Sequence, residues 1–233
     1  MTVYHAERDL PDWPEWFESG AATHVDEVPA GCDRAVLYRE KNSHKGIAAR
    51  AGLRKLIASK VNQAFFDEIC ELKALQYLEL NDLTIEVLEP IAGLHDLRTL
   101  KLSDVRKVEC FDSVLKLPKL ERLFIENAKH LTHLEFLADA HHLRSIGIEG
   151  SMWTMQKVAT LEPLSGLSNL EALFMVSARL IDKDLSYLAT CPKLRILQCA
   201  RFAPKTRFED LRRLMPDLEC QWCECYEISL PDA

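Results

Sequence analysis

The chain lacks any apolar run of about 20 residues, the length a helix needs to cross a bilayer, so no membrane partner is expected. It also lacks a long run of one charge: the net charge of −7 is spread over 233 residues. Without a basic stripe, no nucleic-acid partner is expected. A protein partner of basic or mixed charge suits that balance. The opening residues, MTVYHAERDLPDWPEWFE, contain neither a basic leader nor an apolar segment and do not read as a secretory signal. Eight cysteines without such a signal point to reduced thiols and a cytoplasmic location. A nucleophile elbow, a phosphate-binding glycine loop and an HExxH pair are all missing. Carboxylate pairs such as Glu79 with Asp82 exist, but nothing in the sequence suggests a pocket that would desolvate them. The expectation is therefore a protein that is not an enzyme and holds no cofactor or metal.

What the chain does contain is a repeat. A leading leucine stands at Leu53, Leu75, Leu97, Leu120, Leu143, Leu170, Leu194 and Leu218. Three positions later stand Leu56, Leu78, Leu100, Leu123, Ile146, Leu173, Leu197 and Gln221. Two further on stand Ala58, Leu80, Leu102, Ile125, Ile148, Met175, Cys199 and Cys223. Only Gln221, in the last copy, is strongly polar, so the pattern is a structural unit and not chance. The alternation Leu78-Glu79-Leu80 is a short strand with one buried face. Ile85, Leu88, Ile91 and Leu94, spaced by three, suit a tight helical or 3-10 return. One such unit cannot bury its apolar side alone, whereas stacked units share a core.

This motif, LxxLxLxx followed by IxxLxxIxxLxxL, resembles the leucine-rich repeat family. Its spacing of 22 residues between Leu53, Leu75 and Leu97 is similar to the bacterial internalin and phosphatase-regulator type, and LEPLSGLSNLEALFM (161–175) is the nearest local match. The resemblance covers roughly residues 53 to 223. It implies an α/β solenoid, with a curved parallel sheet on the concave face, short helical or 3-10 returns on the convex face, and caps at both ends. It also implies a scaffold, regulator or inhibitor that binds protein. One column departs from the family. Where asparagine usually stands, eight residues after the leading leucine, this chain has Val61, Leu83, Val105, Ala128, Ser151, Ala178 and Phe202. The corner of each repeat must be closed by other means.

The expected organisation is an N-terminal cap and degenerate first repeat (1–52), the repeats (53–217), and a last strand with a C-terminal cap (218–233). DRAVLYRE (33–40) reads as the degenerate first strand. DWPEWFES (12–19) has Asp12 and Glu15 at capping-box spacing and reads as a short helix. Its Trp13, Trp16 and Phe17 form either a lid on the first repeat, the plainer reading, or a docking face. Tyr226, Ile228 and Leu230 alternate as a cap strand or tail would.

Two clusters carry possible chemistry. Cys220, Cys223 and Cys225 resemble half of a zinc site, but no further ligand pair completes it. Cys223 falls in a core column beside Cys199, so buried small side chains are the plainer reading, and a disulfide between those two is the alternative. His130, His133, His141 and His142 form either a surface metal or pH-sensitive patch or, more plainly, solvated side chains.

The binding surface is read from strand positions that point away from the core. Phe124, Phe174 and Trp222 fall in one such column, with Gly147 between the first two. Tyr77, Glu79, Lys101, Arg122, Glu126 and Glu149 surround them. Exposed aromatics ringed by charge are the composition of binding hot spots. The alternative is that a loop or tail folds over this face and covers them. The longest spacing, 27 residues, places its surplus in GSMWTMQKV (150–158), where Met152 and Trp153 either overhang the groove as part of the site or pack down over Gly147.

Overall fold

The computed structural model describes residues 8–9 and 20–226. The helix expected over 12–19 and the alternation beyond Tyr226 lie outside the described residues. The chain divides into two compact units, Met1–His130 and Leu131–Ala233.

In the first unit five parallel strands pair in sequence order: β1 (Arg34–Tyr38), β2 (Lys55–Ser59), β3 (Tyr77–Asn81), β4 (Thr99–Ser103) and β5 (Arg122–Glu126). The register aligns the repeat: Leu56 beside Leu78, Leu78 beside Leu100, and Leu100 beside Leu123. All four leucines are fully buried. The degenerate first strand is therefore a true strand, and its free edge is not left open. Ala22 donates to the Val36 carbonyl and accepts from the Tyr38 amide, each at 2.8 Å, which blunts a pairing surface that would otherwise recruit another chain.

The second unit holds β6 (Ser145–Glu149), β8 (Ala172–Met175) and β10 (Ile196–Cys199), parallel and in register, with Ile146 beside Leu173 and Leu173 beside Leu197. A second pair, β7 (Gln156–Val158) and β9 (Ala178–Leu180), was not foreseen. Both segments alternate buried, exposed, buried, so each is a half-buried strand too short to stand out of the repeat pattern.

The returns follow the spacing by three. Short 3-10 turns span Glu89–Gly93 and Asp112–Lys116 in the first unit and Glu135–Leu137, Glu162–Leu164 and Ser186–Thr190 in the second. Ile85, Leu88, Ile91 and Leu94 are all buried, as eclipsed side chains on one edge of such a turn must be. One return is a true α-helix, α1 (Gln63–Ile69), because Phe65, Phe66 and Ile69 give it a wider inward face. The Asn62 side chain caps it by accepting the Phe65 amide at 3.1 Å.

The missing asparagine column is replaced by backbone. The residue one position earlier adopts left-handed φ values: Lys60 56°, Asp82 56°, Asp104 55° and Asn127 52° in the first unit, and Ser177 54° in the second. That conformation turns the chain out of the strand, and Asp and Asn tolerate it better than most residues. The apolar residue that follows points inward, and its carbonyl serves the next repeat. Thr84 donates to Val61 O at 2.9 Å, Arg106 to Leu83 O at 3.3 Å and Lys129 to Val105 O at 3.0 Å.

The C-terminal end departs from expectation. Glu219 bonds to the backbone of β10, accepting the Leu197 amide at 3.0 Å and donating to Arg195 O at 2.8 Å. The chain then leaves the sheet as a short helical turn, named α3 here (Gln221–Glu224), and does not extend a last strand. Before it, α2 (Lys205–Leu214) packs Phe208 and Leu211 inward against the Ser186–Thr190 turn.

Candidate functional site

The wall of open aromatics does not exist as expected. Phe124 is 7% exposed and Phe174 is 0% exposed. Sequence period sets which face a side chain takes, but a face can itself be covered. In the first unit several further outward positions, Ile57, Tyr77, Thr99 and Lys101, are also buried. Ile57 and Tyr77 form a small apolar cluster, with Val36 packed against it.

Asp9 lies against β4. The Asp9 carboxylate accepts the Thr99 hydroxyl, and the Asp9 carbonyl accepts Lys101 Nζ at 2.7 Å. Lys101 Nζ also lies 5.2 Å from the Tyr77 ring centre and 5.4 Å from that of Phe124, a cation held between two π faces. Burial pulls the Lys101 amine down to about 8, against the attraction of Glu79 and Asp9. Burial also pushes the Tyr77 hydroxyl well above its usual range, reinforced by the Glu79 carboxylate to which it donates at 2.7 Å. Asn81 Nδ2 holds the other oxygen of Glu79 at 3.3 Å. Arg122 is half-buried against Glu121 at 3.4 Å, and Glu126 is exposed. Thus Tyr77, Glu79, Lys101 and Phe124 are brought together, but as a satisfied cluster with Asp9 and not as an open surface.

In the second unit Phe174 sits in register between Gly147 on β6 and Gln198 on β10, with Gly147 also buried. The exposed apolar groups lie on the loop between β6 and β7. Met152 is 85%, Trp153 88% and Met155 59% exposed. The loop is tightly built at its base. Ser151 Oγ accepts the amides of Trp153 at 3.2 Å and Thr154 at 3.1 Å, and its hydroxyl meets that of Thr154 at 2.7 Å. Gly150 donates to Val176 O at 3.0 Å, and Gln156 N donates to Ser177 O at 2.9 Å. A Cβ at position 150 would stand 2.2 Å from the carbonyl oxygens of both Ser177 and Thr154, so only glycine fits. The Gln156 amide reaches down to the Leu131 carbonyl. Glu149 Oε1 accepts the Val176 amide at 3.3 Å, and the partly exposed Val176 adjoins the loop. The Met152 and Trp153 side chains therefore stand in solvent and are not packed down.

Trp222 lies on α3, outside the strand column. It is half-buried, its indole N–H donates to Cys199 O at 2.7 Å, and Arg201 lies 5.8 Å from its ring and 5.4 Å from that of Tyr226. Trp222 and Tyr226 meet edge to face, and the Tyr226 hydroxyl donates to Ala203 O at 3.0 Å. This is a knitted cap. All eight cysteines are free thiols, so Cys199 and Cys223 are not bridged. Among the described residues no three His, Cys, Asp or Glu side chains converge as metal ligands. His133 is exposed, 3.6 Å from Glu135.

Sequence reasoning missed Asp9 and Arg201, which carry no local signal, and Val176, whose exposure follows from the loop it adjoins. No known family's sequence profile matches the chain, and no curated protein matches it. Solved structures do. An internalin, InlF, from Listeria monocytogenes superposes with a TM-score of 0.53 at 18% identity, over 78% of this chain and 58% of that one. The Toll-like receptor TLR13, solved with a single-stranded RNA, gives 0.55 at 16% identity, over 82% of this chain and 28% of the receptor. The fold is that of the leucine-rich repeat proteins. A third leucine-rich repeat structure, the plant peptide hormone receptor RGFR1 in complex with RGF2, gives 0.51 at 16% identity, over 71% of this chain and 27% of that one. This chain thus spans little more than half of the internalin and under a third of either receptor, and the likeness concerns the fold alone.

Proposed function

We propose that the protein is a non-catalytic binding module that captures a protein partner, as a scaffold, regulator or inhibitor, with Trp153 and Met152 at the centre of the contact. The observation that carries this reading is a tryptophan 88% exposed on a loop fixed by hydrogen bonds at its base. A mobile loop would sample ways to hide that ring, whereas this one holds it out in water at a standing cost. Large apolar groups presented rigidly lose little entropy on binding and dominate interface energies. Glu149, Lys157 and Arg179 flank the loop and its strand pair with both signs of charge, which favours a partner of mixed charge. The sheet face around Thr99 and Lys101, already occupied by Asp9, contributes less to this reading than the loop does.

The test places a photo-crosslinking amino acid at position 153 in the native cell. A single cross-linked protein, whose purified form binds the wild type and loses about 30-fold in affinity with Trp153→Ala, is the expected outcome. Cross-linking to a second copy of the chain, with a dimer by light scattering, would replace this reading with a homo-oligomer using the same patch. Undiminished binding by the variant would remove the loop from the site.

A further inference from the structure

The C-terminal cap concentrates thiols that the binding reading does not use. Cys220 immediately precedes α3 and Cys223 lies within it, and the Cys223 amide donates to the Cys220 carbonyl at 3.1 Å. A turn closed by that bond keeps the two Cα atoms within about 7 Å, the reach of a disulfide. The strand-like bonds of Glu219 to β10 lay this turn beside Cys199, whose carbonyl takes the Trp222 indole N–H. The Cys220 thiol lies within hydrogen-bonding reach of the Cys199 and Cys223 thiols. Cys220 is buried, whereas Cys199 and Cys223 are each partly open to solvent.

We propose that Cys220 and Cys223 form a reversible dithiol–disulfide pair, a redox modification site that covalently closes the C-terminal cap, with low-molecular-weight disulfide such as oxidised glutathione as its oxidant.

The steps balance. Cys223, the more accessible of the pair, gives up its tightly held thiol proton to solvent base, attacks one sulfur of glutathione disulfide and breaks its S–S bond. A Cys223–glutathione mixed disulfide forms, and one glutathione thiol leaves. The Cys220 thiolate then attacks the Cys223 sulfur and expels the second glutathione thiol. Two protein thiols are oxidised and one glutathione disulfide is reduced to two thiols. Hydrogen bonds from Cys199 and Cys223, in that order, hold the Cys220 thiol well below its usual range and so favour the thiolate needed for the second step. The donors respond in the opposite sense: Cys223 and Cys199 are pushed up, each first by its bond to Cys220 and then by burial.

The distinction from a packing role is that oxidation must be pairwise and confined. The full reduced chain is equilibrated in glutathione buffers of graded poise, quenched in acid, alkylated and mapped by mass spectrometry. The expected result is joint loss of two of the eight free thiols along a two-electron curve, with the 220–223 peptide lighter by two hydrogens and restored by reductant. Cys199→Ser keeps this pair, and Cys223→Ser abolishes it. Full alkylation of Cys220 and Cys223 at a poise that already glutathionylates the exposed Cys110 and Cys225 would overturn the proposal. So would a Cys199–Cys220 bridge in the wild type. Both of those readings use unmutated protein, so they stand even if a serine variant fails to fold.

Discussion

Replacing Phe174 with alanine separates the closed sheet face from the open one that the repeat pattern suggests. On an exposed wall the substitution would cost little stability and much binding. In this structure the ring is 0% exposed, flanked in register by Gly147 and Gln198. A buried phenylalanine removes about 150 Å² or more from water. At about 25 cal/mol per Å² that is worth about 4 kcal/mol. Neighbours at fixed strand positions relax only partly, so a cavity remains, and the expected loss is about 3 to 5 kcal/mol. Urea unfolding followed by far-UV circular dichroism measures it, and in a thermal scan the midpoint should fall by roughly 10 °C. Trp153→Ala is the internal control: at 88% exposure it should change stability by no more than about 0.5 kcal/mol. If Phe174→Ala costs less than about 1 kcal/mol, the ring is not packed, and the account of a covered face fails with it.

Further outcomes follow from the same geometry. Leu100→Ala, in the shared core, should cost about 2 to 5 kcal/mol by the same urea assay. Gly150→Ala forces a methyl group against two carbonyl oxygens and should lower stability by about 1 to 3 kcal/mol; equal stability in urea would show that the loop base yields. Lys183 has φ 58° and an exposed side chain, so Lys183→Gly should raise the unfolding midpoint, a gain of about 0.5 kcal/mol, whereas a fall would show that the left-handed corner is not strained. Lys101 has its amine depressed to about 8. Between about pH 8 and 10 the unfolded chain therefore holds a proton that the folded chain has released, and its contribution to stability rises with pH. Wild-type stability measured relative to Lys101→Met should improve by about 2 kcal/mol over that range, and a flat difference would refute the burial of the charge.

The strands and returns were legible because leucines at fixed spacing have one stable arrangement, and Leu56, Leu78, Leu100 and Leu123 took it. Asp9 was not legible. It meets Thr99 and Lys101 some 90 positions away, and no local pattern encodes so distant a contact. The error at Phe124 and Phe174 is of the same kind, since alternation assigns a side but says nothing about what lies on it. Trp222 was misplaced although a signal existed. Gln221, the one polar residue in a core column, marks where the repeat stops and α3 begins. The loop at 150–158 announced itself by its length, and Gly150 by the tight approach it permits, but only coordinates show that Trp153 stands out from it.

The corners closed by main-chain carbonyls at Val61, Leu83 and Val105 have a bearing on how such an array can grow. A repeat joined to its neighbour by peptide groups asks nothing of the neighbour's side chain at that point. A duplicated module dropped into the middle of the array would find its donor and acceptor waiting, whatever residues it carried there. Lengthening by gene duplication would then be limited by how well the interior leucines interdigitate, and not by the need to preserve a row of matching amides.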